Sequence, residues 1–159
     1  VKQQQGFTLV ELIMVIVIIG IISATAAARF SGRSEFDAQL TRDQAISVIR
    51  QIQISSMQGQ RAPLNVSSQC LGVCGAANPE MDGSLHQSQT NTEFSLVDDG
   101  NTRAKLYFNL LGQPVNKTSK LVCANGCTIT ITAQNKQTAS ICINSQGYVY
   151  KKKDKVCSK

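Results

Sequence analysis

The chain has 159 residues, of which 42% are hydrophobic, 16% charged and 5% aromatic, with no tryptophan and a formal net charge of +6. Once an N-terminal helical third is set aside, roughly 100 residues remain, enough for one modest core and too few for a second domain. Gln, Asn, Ser and Thr are abundant, which suits a small β-rich domain with a polar outer face.

The chain opens on a short polar stretch, Val1-Lys-Gln-Gln-Gln-Gly6, with Lys2 as its one charge, and passes at once into the apolar run Phe7–Ala28. As a helix this run spans about 33 Å, close to the hydrocarbon thickness of a bilayer. One carboxylate, Glu11, interrupts it. A charge inside a membrane helix costs roughly 2.5–3.5 kcal/mol on insertion scales, so it signals a partner or a functional pathway. The polar-to-apolar junction Gly6-Phe7 precedes the apolar run, whereas a secretory signal is cut after it, following small residues. An ordinary single-pass anchor whose Glu11 snorkels to the nearer surface is the competing reading, since Glu11 lies only about 6 Å in from Phe7.

Gly6-Phe7-Thr8-Leu9-Val10-Glu11-Leu12, followed by the aliphatic run, resembles the cleavage and methylation motif of type IV pilins and pseudopilins. The resemblance implies that a prepilin peptidase cuts after Gly6 and that the new terminus, Phe7, is N-methylated. It further implies that Glu11 faces the Phe7 amine of a neighbouring subunit, where a cation in low dielectric needs an anion.

Beyond the apolar run, Arg29–Met57 contains no proline and turns amphipathic, with Ala45, Ile46, Ile49 and Ile52 on one face and Gln44, Arg50, Gln51 and Gln58 available for the other. Gly59 and Pro63 are stop signals. A single helix from Phe7 to about Gln58, some 78 Å long, is therefore expected. Gly20 weakens it by about 1 kcal/mol relative to Ala. Many pilins carry a proline near the end of the apolar segment, but this chain reads Ala26-Ala-Ala-Arg29, so any local unwinding would start at Gly20 or Ser31-Gly32. The expected organisation is a leader at 1–6, a helix at 7–60 whose 7–28 portion is the membrane and assembly segment, and a disulfide-containing β-rich domain at 61–159.

Arg61–Asn91 is rich in turn formers and reads as an ordered surface loop, with His86 a solvated loop histidine. Strand composition then alternates with turns. Thr92–Val97 and Arg103–Leu110 flank Asp98-Asp-Gly-Asn101 as a hairpin, and Gly112-Gln-Pro114 makes the next turn. Thr128–Thr132 alternates with period two, Ser140–Ile143 is a short strand, and Gln146-Gly147 turns the chain into Tyr148–Tyr150.

Six cysteines, Cys70, Cys74, Cys123, Cys127, Cys142 and Cys157, all follow the apolar segment. An even set in a small domain beyond a membrane helix reads as disulfides in a compartment outside the cytoplasm. Cys70-Leu-Gly-Val-Cys74 and Cys123-Ala-Asn-Gly-Cys127 each contain a glycine that permits a short bridge, and Cys142 would then pair with Cys157. A zinc site built on the paired CxxxC spacings is the alternative. The C-terminal Lys151, Lys152, Lys153, Lys155 and Lys159 form a basic run that could contact a polyanion such as nucleic acid or an anionic membrane, although such a run is most often a solvated surface.

Phe108-Asn-Leu-Leu-Gly112-Gln-Pro114 and Ile141-Cys-Ile-Asn-Ser-Gln-Gly147-Tyr-Val-Tyr resemble the GspH/FimT-like minor pilins and pseudopilins. The Ala27-Ala-Arg-Phe30 and Arg42-Asp43-Gln44 stretches look most like a minor pilin of mannose-sensitive haemagglutinin (MSHA) type pili. The fold expected is α+β: a long N-terminal helix plus a C-terminal antiparallel β domain, the pilin fold. The resemblance implies a structural protein that waits in the inner membrane and then enters or primes a filament used in surface attachment. Its partners would be other pilin subunits, prepilin peptidase, the inner-membrane assembly platform and, before assembly, the membrane. No nucleophile–histidine–acid set, P-loop or dinucleotide motif is present in the sequence, so neither enzymatic activity nor a cofactor is expected. A type II secretion pseudopilin and a DNA-capturing pilus tip are the alternative readings.

Overall fold

A computed structural model describes residues 8–30, 36–75, 83–152 and 157, and the chain divides into two units, Val1–Ser34 and Glu35–Lys159. The first unit holds helix α1 (Leu9–Phe30). Its aliphatic side chains lose χ1 freedom in a helix, but an unbroken run without proline keeps every internal amide paired. Hydroxyls within it bond back to the preceding turn, Ser23 Oγ donating to the Ile19 carbonyl at 2.7 Å and Thr25 Oγ1 to the Ile22 carbonyl at 2.9 Å. Polar side chains are thereby satisfied within the helix itself. Gly20 does not interrupt α1.

The second unit begins with α2 (Asp37–Met57). Ala45, Ile46, Ile49 and Ile52 are buried along one face, joined by Ala38, Thr41, Gln53 and Ser56, while Gln44, Arg50, Gln51 and Gln58 are exposed. Gly59, at φ +91°, donates to the Ser56 carbonyl, and Gln60 donates to the Ser55 carbonyl at 2.9 Å. This paired reversal satisfies two orphan carbonyls and ends the helix. The expected 7–58 helix is thus represented by α1 and α2. Their junction at 31–35, with Ser31-Gly32, lies outside the described residues.

Ten strands follow among the described residues, and every pairing between them is antiparallel. The first sheet contains β1 (Leu64–Ser67), β2 (Cys70–Gly72), β3 (Leu85–His86), β6 (Lys105–Phe108) and β7 (Pro114–Val115), in the order β3-β2-β1-β6-β7. The second contains β4 (Thr92–Asp98), β5 (Asn101–Arg103), β8 (Cys127–Ala133), β9 (Thr138–Ile143) and β10 (Val149–Lys152), in the order β10-β9-β8-β4-β5. A one-turn helix, α3 (Gln87–Thr90), joins β3 to β4. One core unites α2 with both sheets through Ile49, Leu64, Leu71, Leu96, Leu106, Phe108, Ile129, Ile131, Ile141 and Ile143. The architecture is an α+β pilin-like fold: an N-terminal apolar helix, then a helix with antiparallel sheets.

Two sequence expectations are corrected here. Arg61–Asn91 is not a surface loop throughout, because Leu64–Ser67 and Cys70–Gly72 form a hairpin whose Leu64, Val66 and Leu71 are buried. Strand alternation four residues long was hidden among turn-forming residues. The second arm of the expected hairpin, Arg103–Leu110, is split: Asn101–Arg103 pairs with β4, whereas Lys105–Leu106 crosses to β1 in the other sheet. The turn itself is as the Asp99-Gly100 dipeptide requires, with φ +47° and +80° at the two positions.

Candidate assembly segment and disulfide framework

Thr8 stands immediately before α1, and its Oγ1 accepts a hydrogen bond from the Glu11 backbone N–H at 3.3 Å. The pair has the spacing of a helix-capping box, S/T-x-x-E, in which a hydroxyl occupies the N-cap and a carboxylate the third helical position. Glu11 therefore lies in the first turn of α1. There the unpaired amides and the helix dipole favour a negative charge, which gives a local physical reason for a carboxylate to begin an otherwise apolar helix. Thr8 was missed as a candidate, although the Thr8-Leu-Val-Glu11 spacing carried the signal.

Leu9–Ala26 has a mean hydropathy of 2.6 with none of the segment buried, and is long and apolar enough to cross a membrane. Leu9, Leu12, Met14, Ile16, Ile18 and Ile21 all remain more than half exposed. Buried elsewhere, side chains of this kind are each worth roughly 1.5–3 kcal/mol, so α1 presents a large surface that bilayer or protein must cover. Gly6 and Phe7, the expected cleavage and methylation positions, lie outside the described residues.

The globular unit carries three disulfides, Cys70–Cys74, Cys123–Cys127 and Cys142–Cys157. They are the pairs favoured by the spacing. Asp98, Cys123 and Cys127 place oxygen and sulfur atoms within 4.8 Å of one another, but both sulfurs are joined to each other. Zinc would need them as thiolates, so the CxxxC metal reading is set aside. Asp98 is buried and receives Arg103 Nε at 2.7 Å on one oxygen.

Of the basic run, Lys151 donates from Nζ to Asp43 Oδ2 at 2.8 Å, tying β10 to α2. That hydrogen bond holds the Asp43 carboxyl below its ordinary range, with Arg42 adding to the effect and partial desolvation opposing it. Lys152 ends β10, and Lys153 and Lys155 lie outside the described residues. His86, expected to be a solvated loop residue, instead ends β3 half-buried, with Nε2 3.9 Å from Cys70 Sγ.

Gln53, which neither the apolar stripe nor the polar face expected of α2 includes, is a buried amide that donates to the Gly112 and Gly147 carbonyls at 3.1 and 2.7 Å. It joins two turns of the same design. In each, an asparagine carboxamide oxygen accepts two backbone amides: Asn109 Oδ1 from Leu111 and Gln113, Asn144 Oδ1 from Gln146 and Tyr148. The repeated Asn-x-x-Gly pattern was the available signal.

Against known proteins, the N-terminal segment is what stands out. Residues 1–27 match the prokaryotic N-terminal methylation motif. The motif ends before the globular unit and supports a pilin or pseudopilin role, with pilin subunits and prepilin peptidase as the general partners it implies. No curated protein and no solved structure matches the chain.

Proposed function

We propose that the chain is a structural subunit of a type IV filament, a minor pilin of MSHA type, cut between Gly6 and Phe7, N-methylated at Phe7 and without enzymatic activity of its own. The observation that carries this reading is an apolar helix left uncovered over the 18 residues Leu9–Ala26, bearing one carboxylate, Glu11, in its first turn. Before cleavage Glu11 is a cost borne by a membrane anchor. Afterwards it pairs with the Phe7 amine of a neighbouring subunit and sets the axial register between them. In the cell the subunit waits in the inner membrane with its β domain outside the cytoplasm, and the assembly platform transfers it into the filament or its initiating tip, where it contributes to attachment.

The test is Glu11→Ala. Membrane insertion and cleavage are expected to persist while the variant disappears from sheared filaments, and incorporation equal to that of the natural chain would overturn the docking role. Mass spectrometry of the membrane-extracted protein should find a methylated Phe7 terminus. The second reading, a pseudopilin of type II secretion, shares this N-terminal chemistry and predicts the same defect in a secretion assay with no subunit in extracellular filaments. Lys151 gives DNA capture less support than its place in a basic run suggested, because its ammonium is already paired with Asp43.

A further inference from the structure

The three disulfides differ in their surroundings. Cys123, Cys127 and Cys142 are fully buried and Cys157 nearly so, while Cys74 is only half-buried and shares its bridge with Cys70. Thiol–disulfide exchange needs an attacking thiolate to reach one sulfur and a stabilised thiolate to leave from the other. Cys74 is the most exposed of the six cysteines, and so the bridge partner offered for attack. Its backbone is held in place, its N–H donating to Ser84 Oγ at 3.1 Å while Asn65 Nδ2 donates to the neighbouring Val73 carbonyl. On the inner side, Cys70 Sγ lies 3.9 Å from His86 Nε2. His86 also lines an open groove of about 390 Å³ with Gln69, Gln87, Ser88, Asn91 and Gln134. Among the described residues, neither of the other two bridges has a histidine beside it.

We propose that Cys70–Cys74 is a thiol–disulfide exchange site for a dithiol reductant, with Cys74 as the attacked sulfur, Cys70 as the leaving thiolate and His86 as its proton donor. A thiolate of the dithiol bonds to Cys74 Sγ. The Cys70–Cys74 bond breaks with its electron pair on Cys70, which takes a proton from His86. The second thiol of the reductant, losing its proton to solvent, then attacks the mixed disulfide at the reductant's own sulfur, releasing Cys74 as a thiolate that takes a proton from solvent, and His86 regains a proton from solvent as well. The protein gains two electrons and two protons as two thiols, and the dithiol leaves as its cyclic disulfide. An imidazolium beside a departing sulfur lowers the basicity of that leaving group, and a less basic thiol leaves faster.

The full-length chain in detergent micelles, without denaturant, is exposed to dithiothreitol, quenched with iodoacetamide at intervals and mapped by peptide mass spectrometry. Cys70 and Cys74 should be alkylated on the order of tenfold faster than the other four cysteines. Reduction of Cys123–Cys127 or Cys142–Cys157 first, or of all three pairs together, overturns the proposal without recourse to any variant. His86→Gln should slow the Cys70–Cys74 reaction roughly three- to tenfold and leave the other two pairs at their natural rates, which also reports that the variant is folded. Unchanged Cys70–Cys74 kinetics in that variant would refute the role of His86 as proton donor. Cys74→Ala, which leaves Cys70 as a thiol beside His86, provides the converse readout: iodoacetamide should modify Cys70 faster with His86 present than in the double variant with His86→Gln. Equal rates there count against the imidazole–sulfur contact.

Discussion

Helices α1 and α2 are nearly equal in length, 22 and 21 residues, and opposite in how they relate to the rest of the chain. Every described side chain of α1 through Ala26 is exposed although almost all are apolar, whereas α2 alternates buried aliphatics with exposed amides and charges. Apolar content alone therefore does not say which helix supports the fold. Periodicity does: a helix that is apolar all round has no face to give to one domain and needs surroundings that are apolar on every side, while a striped helix completes a core. α2 completes the core of the domain, and α1 carries surface for another solvent or another subunit.

The sharpest way to break this contrast is a matched pair of truncations. Ile49→Ala, in the centre of the α2 stripe and fully buried, should cost about 2–5 kcal/mol in unfolding measured on the full-length chain in micelles. Ile16→Ala in α1 should leave the unfolding midpoint of the globular unit where it was, and an equal loss would show the two helices to be energetically one. A smaller effect is expected at Gln53, whose amide serves two carbonyls. Gln53→Ala should cost about 1–3 kcal/mol in urea denaturation, and amides of the turns at Asn109–Gln113 and Asn144–Tyr148 should exchange faster than those of β8. The smallest effect concerns Asp43, on the exposed side of α2, and its partner Lys151 of β10. Because the folded-state pKa of Asp43 is lowered, its contribution is present above the ordinary carboxylate value of 3.8 and is lost as pH falls through the lowered value. Being exposed, the pair moves the unfolding midpoint little. Lys151→Ala should return the Asp43 titration, followed by NMR, toward the ordinary value.

What the sequence made legible follows the same division. The α2 stripe at Ala45, Ile46, Ile49 and Ile52 could be read because it repeats over several turns, and Thr128–Thr132, the centre of the strand Cys127–Ala133, because Ile129 and Ile131 alternate with threonines. Leu64–Ser67 could not, because four residues between Pro63 and Ser68, Asn65 among them, give no statistical weight to one buried leucine and one buried valine. The crossing of Lys105 into the other sheet was equally hidden: its cause is the pairing of Leu64 with Leu106, a contact between residues far apart in sequence. In the N-terminal segment Glu11 was conspicuous as the one charge of an apolar run, while Thr8 was overlooked because a threonine beside aliphatics looks like filler until its hydroxyl is seen to accept the Glu11 amide. Gln53 shows the same limit, since a glutamine in a polar-looking stretch discloses its burial only when the turns it bonds are in place.

The disulfides join each cysteine to the next one along the chain: first to second, third to fourth, fifth to sixth. Of the fifteen pairings open to six cysteines, this is the one that can be completed in order of emergence. In a chain that emerges from its N-terminus, each sulfur can meet its partner before the next pair is exposed. Thiols oxidised in that order would need no reshuffling of premature cross-links, a slow step in the maturation of many disulfide-bonded domains.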